Sequence, residues 1–189
     1  MGKVIFNMSM SLDGYVAGPT DEGTALHGWY SAGDTDLPPF KVSKASADLL
    51  RGAFASAGAL VTGRRTFDVS EAWGGHPPLG VPCFVLTHRA PQEWLESGSP
   101  FTFVTDGIES AVAQAKVAAG NKNVIVGTAT TLQQCLNARL LDEIHIDLVP
   151  VVLGGGTRLF DRLKSVPVRL EQLAAVQGTG VTHVSFRVV

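Results

Sequence analysis

Cysteine is scarce in this chain: two residues in 189, Cys83 and Cys135. Their spacing is not that of a metal site, and both sit among apolar neighbours, so they read as reduced core thiols. Charge is scarce as well, at 17% Asp, Glu, Lys and Arg with a formal net charge of −2. That balance argues against a nucleic-acid coat and against a polybasic membrane surface. No apolar run approaches the ~20 residues of a membrane helix. The apolar stretch within MGKVIFNMSMSLDG is too short for a signal peptide. Internal repeats and low-complexity linkers are also missing. His27, His76, His145 and His183 show no ligand spacing with one another, so no metal site is expected. A cytoplasmic protein with one domain over residues 1–189 is the expectation. Apolar residues make up 45%, enough for a sizeable core.

What is present is alternation. Val4 to Met8 is β-prone, and SLDGYVAG turns into a second apolar stretch. Residues 18–42, rich in Gly, Pro, Asp and Thr around Trp29 and Tyr30, read as a long loop. Residues 43–56 read as a helix with Ser43 as N-cap and an apolar face of Ala45, Leu49, Leu50, Ala53 and Phe54. ALVTG (59–63) is a short buried strand, and RRTFDVSEAW starts a helix. PCFVLTHR (82–89) and FTFVT (101–105) are strands, and Asp106 is placed to cap a helix that Gly120 closes. NVIVG leads into the helix TLQQCLNARLL. In DEIHIDLVPVVLG, Ile144, Ile146 and Leu148 fall on one face, His145 and Asp147 on the other. RLFDRL reads as a short helix, and two strands flank QGTG as a terminal hairpin. Strands alternating with helices imply a largely parallel sheet covered on both faces, which the hairpin makes mixed.

Three strand ends carry chemistry. VIVGTATTL stops a β-branched run at Gly127 and follows it with Thr128, Ala129, Thr130 and Thr131. A helix start offers unsatisfied N–H donors and partial positive charge, and a glycine lets a phosphate approach the backbone. The same letters also suit an ordinary threonine-capped helix. LVTGRRTFD repeats the pattern with Gly63, Arg64, Arg65 and Thr66. Cations at a helix N-terminus oppose the macrodipole unless an anion binds there. VLTHRAP ends a strand in Thr87, His88 and Arg89. Open α/β sheets bind ligands beyond the carboxyl ends of their strands, so three such ends point to a nucleotide. Neither GxGxxG nor a P-loop is present. Asp13 reads as a turn former ahead of a reacting group, Asp48 as an exposed helix carboxylate or a reacting group, and the triple glycine 154–156 as a flexible turn or a close backbone approach.

MSMSLDGYVAG, GRRTFD, VLTHR, VIVGTATTLQQ and LVPVVLGGGTRLF, in this order over nearly the whole chain, resemble the dihydrofolate reductase-like fold. The likeness is strongest to free-standing relatives of the riboflavin-biosynthesis reductase domain. The resemblance implies a three-layer α/β/α sandwich around a mixed sheet, mostly parallel with an antiparallel C-terminal hairpin, that binds NADPH. It implies that Gly63, Arg64, Arg65 and Thr66 meet the cofactor phosphates. Thr87, His88 and Arg89 would hold the adenosine end, with Arg89 on the 2′-phosphate. Gly127, Thr128, Ala129, Thr130 and Thr131 would hold the pyrophosphate, and Ala17 and Gly18 would lie near the nicotinamide. Asp48 is the candidate for the family's substrate carboxylate and for the catalytic proton donor. The chain departs from the riboflavin-pathway reductases at a first-strand lysine, here Asn7, and at a glutamate before the glycine turn, here Val126. It departs from the family again at a second glycine, here Thr128. The zinc deaminase motifs of the bifunctional enzyme are absent. The expectation is an NADPH-dependent reductase of a small pteridine- or pyrimidine-like substrate, working as a homodimer without nucleic acid or membrane. The rivals are a nucleotide-binding protein without turnover and a structural dimer.

Overall fold

The computed structural model describes residues 2–20, 24–95 and 98–189. In chain order its elements begin with β1 (Val4–Ser11), β2 (Tyr15–Ala17), α1 (Thr24–His27), β3 (Thr35–Leu37), β4 (Phe40–Val42) and α2 (Lys44–Ser56). Next come β5 (Ala57–Gly63), α3 (Arg64–Val69), β6 (Cys83–Leu86), β7 (Phe101–Val104), α4 (Ile108–Ala119), β8 (Asn123–Val126) and α5 (Ala129–Asn137). Last come β9 (Glu143–Val149), β10 (Thr157–Arg158), β11 (Leu170–Gly178) and β12 (Val181–Val188). The fold is α/β with a mixed, mostly parallel sheet and antiparallel C-terminal strands.

Two compact units divide the chain. The first, residues 1–6 and 56–142, has the strand order β1-β8-β5-β6-β7, parallel throughout. Parallel neighbours need crossover connections, and the α3, α4 and α5 segments supply helices that pack on β5. Burial on both faces explains why β5 is an unbroken apolar run up to Thr62 rather than an alternating one. The core closes on Phe67, which meets Trp73, Trp94, Phe101 and Phe103 edge-on at 5.1–6.3 Å between ring centres. Cys83 and Cys135 are free and buried, and burial pushes both thiols up to about 12.

The second unit, residues 7–55 and 143–189, places the remainder of β1 beside β9, followed by β12 and β11, with β9, β12 and β11 antiparallel. Its apolar core gathers Leu26, Trp29, Val42, Ala47, Val149 and Val181. Two small ribbons, β2–β10 and β3–β4, complete it.

Several expectations need correction. Residues 18–42 hold α1, a 3-10 turn over Gly28–Ser31 and the β3–β4 hairpin, so they are not one long loop; residues 21–23 lie outside the described ones. The buried positions of α2 include Ser46 and Ala47, whereas Leu49 is 41% exposed. A hydroxyl displaced apolar side chains there because it finds a buried partner, His183. The helix from Arg64 stops at Val69, and Glu71–Gly75 run left-handed with φ between 48° and 84°. Asp106 does not cap α4; Gly107, at φ 106°, holds the N-cap with no side-chain bond. RLFDRL forms no helix, because Arg158 pairs with Tyr15 in a ribbon and Leu159 N–H donates to the Gly14 carbonyl. On β9 the face of Glu143 and Asp147 is buried as deeply as that of the isoleucines.

Candidate nucleotide site and a buried polar chain

Strands β8, β5 and β6 are parallel neighbours, so their carboxyl ends lie side by side in the first unit. β5 ends on Gly63, which is also the N-cap of α3. A Cβ on Gly63 would stand 3.2 Å from Thr128 Oγ1 and 3.5 Å from Thr130 Oγ1. Two hydroxyls therefore face a bare backbone across the β5 and β8 turns.

The β8 turn is tightly self-bonded. Thr131 Oγ1 donates to the Gly127 carbonyl at 2.7 Å, and Thr128 Oγ1 lies 2.8 Å from Thr131 Oγ1. Thr131 N–H donates to Thr128 Oγ1 at 3.4 Å, a long N-cap bond. Thr128 itself sits at φ 97°, ψ 145°, a conformation suited to glycine and strained for a β-branched residue. Ala129 and Thr131 are buried and Thr130 is exposed, so Thr130 presents its hydroxyl beside the first N–H groups of α5.

At the β5 end, Arg64 Nε donates to Asp68 at 2.7 Å and its guanidinium to the Arg89 carbonyl at 3.1 Å. Arg64 thus braces the β6 turn as well as its own helix. Thr87 Oγ1 donates to the Arg89 carbonyl at 3.0 Å and accepts from Arg89 N–H at 3.3 Å. Arg65, His88 and Arg89 are exposed and Thr66 is half-buried. The first unit thus brings together Gly63 to Thr66, Thr87 to Arg89 and Gly127 to Thr131.

Ala17, Gly18 and Asp48 belong to the second unit. Ala17 ends β2, and its carbonyl approaches Gly156, at φ 117°, too closely for any Cβ. That approach is the chain's own backbone, which gives the triple glycine a packing role. Asp13 locks the same region: it accepts from Ser11 Oγ at 2.7 Å, Leu153 N–H at 3.1 Å and Gly154 N–H at 2.7 Å. The Ser11 bond and then the backbone donors hold its carboxyl near 2. Asp48, its side chain 53% exposed, contacts Lys44 Nζ at 2.7 Å and Arg51 at 3.1 Å. The Lys44 hydrogen bond, with further help from Arg51, lowers its pKa and favours the ionised form.

Sequence reading missed a chain of polar side chains in the second unit. Ser43 Oγ lies 3.0 Å from Ser46 Oγ, Ser46 Oγ 2.8 Å from His183 Nε2, and His183 Nδ1 2.6 Å from Asp147 Oδ1. Asn7 Nδ2 donates to Asp147 Oδ2 at 3.3 Å. Trp29 meets His183 edge-on at 5.2 Å and donates its Nε1–H to Ser9 at 3.1 Å. Tyr30 is pushed up to about 12, mainly by burial and next by the Asp147 charge. The alternation of β9 was the one local signal, and it marks Asp147 as polar without showing a partner. Among the described residues no cluster of His, Cys, Asp and Glu could hold a metal ion, and no helix is long and apolar enough to cross a membrane.

Several known proteins are similar to this chain. The uncharacterized protein YwjB of Bacillus subtilis is 25% identical over 162 residues, 85% of this chain and 84% of that protein. A putative riboflavin biosynthesis protein from Shewanella sp. PV-4 superposes with a TM-score of 0.79 at 22% identity, covering 99% of both chains. Dihydrofolate reductase from Enterococcus faecalis, solved with NADP(H), superposes at 0.62 and 16% identity, covering 99% of this chain and 96% of that one. The family model of the RibD C-terminal domain matches residues 2–184. With that match spanning almost its full length, the chain belongs to the RibD C-terminal domain family.

Proposed function

We propose that the chain is an NADPH-dependent reductase acting on a small heterocyclic or conjugated substrate of the pteridine or pyrimidine type. The observation that carries this reading is the row of three parallel strand ends, each finished by glycine, hydroxyl or arginine residues, two of them at helix starts. Family membership and the NADP(H)-bound reductase of similar fold support it. The residues present fit a dinucleotide: Gly63 leaves backbone bare before two hydroxyls, and α5 opens with N–H donors beside Thr130. When bound, the cofactor would supply hydride. The protein's part is to bind, orient and exclude water.

In this reading Gly127 to Thr131 and Gly63 to Thr66 surround the phosphates, and Thr87, His88 and Arg89 take the adenosine end. Arg64 acts through the β6 turn, since its donors already serve Asp68 and the Arg89 carbonyl. Ala17 and Gly18 are assigned to the nicotinamide, and Asp48 to the catalytic carboxylate. Lys44 and Arg51 favour ionised Asp48, so in its resting state it accepts rather than donates a proton. A cytoplasmic homodimer completes the reading; light scattering at two concentrations tests the dimer.

The test is a titration with NADPH followed by tryptophan fluorescence, with NADH as control, on the native chain and on Arg89→Ala. Micromolar binding that favours NADPH, with the preference lost in Arg89→Ala, is the expected outcome. No binding of either nucleotide refutes the reading. Tight binding with no oxidation across a substrate panel points instead to a nucleotide-binding protein without turnover.

A further inference from the structure

Asn7 is an exposed carboxamide on β1, immediately after the three buried residues Val4, Ile5 and Phe6. Its Nδ2 reaches Asp147, and its Oδ1 has no protein partner among the described residues. Asp147 is 5% exposed, and behind it stand His183, Ser46 and Ser43. We infer that this buried chain fixes the polarity of Asn7, so that its carbonyl oxygen faces outward and selects ligands that present an N–H or O–H donor.

The argument follows the protons. Ser43 Oγ accepts the backbone N–H of Ser46 at 3.3 Å, the N-cap bond of α2, and is free to send its own proton to Ser46 Oγ. Ser46 then donates to His183 Nε2, which puts the imidazole proton on Nδ1, aimed at Asp147 Oδ1. A doubly protonated His183 donates from Nδ1 as well and merely reverses the two hydroxyls. In both forms Asp147 is a pure acceptor, so the Asn7 atom facing it is the NH2 group. Asn7 Oδ1 is left to point outward. Among the described residues every buried side-chain N and O atom has a partner, so the buried members of this chain, Ser46, His183 and Asp147, are all satisfied.

Ser46, His183 and Asp147 have the spacing of a nucleophile, base and orienting acid. Ser46 is 1% exposed and lies against Gly178, where even a Cβ would collide with its hydroxyl. It cannot reach a substrate, so these are positioning residues for Asn7. The inference rests on the reductase reading only in taking the ligand to be a substrate.

The test uses 15N-labelled full-length protein and two neutral probes at millimolar concentration: indole, which carries a donor N–H, and quinoline, which carries an acceptor nitrogen. Asn7→Leu identifies the Asn7 side-chain amide signals by their loss. Indole is expected to shift those signals at least tenfold more effectively than quinoline. Asp147→Asn is expected to reverse the preference. His183 Nδ1–H keeps the new carboxamide oxygen, the new NH2 faces Asn7, and Asn7 turns its own NH2 outward. A purely structural role would weaken both probes alike. An unchanged preference in Asp147→Asn, or no response to either probe in the native chain, overturns the inference. Should Asp147→Asn not fold, Asn7→Leu at its exposed site must abolish indole binding, seen on the indole resonances; retained binding overturns it too. NADPH binding is read separately, so its loss with the probe result intact refutes only the reductase reading.

Discussion

Thr128 offers a sharp test of how the glycine-poor β8 turn is built. Its φ of 97° and ψ of 145° belong to glycine, and the strain of a side chain there is about 1–3 kcal/mol. Thr128→Ala keeps a Cβ and therefore keeps the strain. It removes the N-cap oxygen, at a cost of about 1 kcal/mol or less given the long 3.4 Å bond to Thr131 N–H. Thr131 Oγ1 remains satisfied by the Gly127 carbonyl at 2.7 Å, so no second group is orphaned. Thr128→Gly removes the strain, loses a few tenths of a kcal/mol at the cap, and adds about 0.4–1 kcal/mol of unfolded-state entropy. At the middle of these ranges the glycine variant is therefore expected to be more stable than the alanine variant by about 1–2 kcal/mol. At roughly 2–4 °C per kcal/mol for a chain of this size, that is a Tm gap of several degrees. Thermal or urea unfolding of both variants measures it. An alanine variant as stable as the glycine variant would show that Thr128 stores no strain. Under the reductase reading, Thr128→Gly also weakens NADPH, because a turn already held in shape becomes free to move.

Asp13 predicts acid behaviour in the second unit. Its folded pKa, near 2, lies below the usual 3.8, so its stabilisation is complete above about pH 4 and fades as the pH falls towards 2; Asp13→Asn should flatten stability across that window. Phe67→Ala, at 3% exposure among four aromatic rings, should cost about 3–5 kcal/mol in urea unfolding. Gly178→Ala forces a Cβ into Ser46 Oγ and should destabilise by about 1–3 kcal/mol, with an altered Trp29 fluorescence spectrum as the local marker. A thiol reagent should leave Cys83 and Cys135 unmodified at pH 8 in the folded chain and label both in urea, since burial holds both thiols near 12.

Local physics was sufficient for much of the first unit. The apolar run ALV is buried on both faces and VIV is buried at Val124 and Val126 with Ile125 half-buried, so their pattern survives any detail of packing, and Gly120 at φ 60° closes α4 as its position predicts. Hydroxyl and basic residues after glycine could be read as strand ends because a strand–turn–helix is a local event. Reading failed where a distant partner overrode a local preference. RLFDRL has helical letters, yet Arg158 is held in a ribbon and stacks on Tyr15 at 4.6 Å. Ser46 breaks the apolar face predicted for α2 because its partner lies 137 residues away.

The sequence by itself determined the alternating strands and helices, the sites of the glycine turns and the residue types beside them, since each follows from neighbours within a few positions. The tertiary structure alone decided that Thr128 and Thr130 face Gly63, that Asp13 ties down Leu153 and Gly154, and that Asn7, Asp147, His183 and Ser46 join in one hydrogen-bonded chain. Hydrogen bonds are short-ranged and directional. Which donors meet which acceptors therefore depends on the register that packing imposes, and no periodicity in the letters records it.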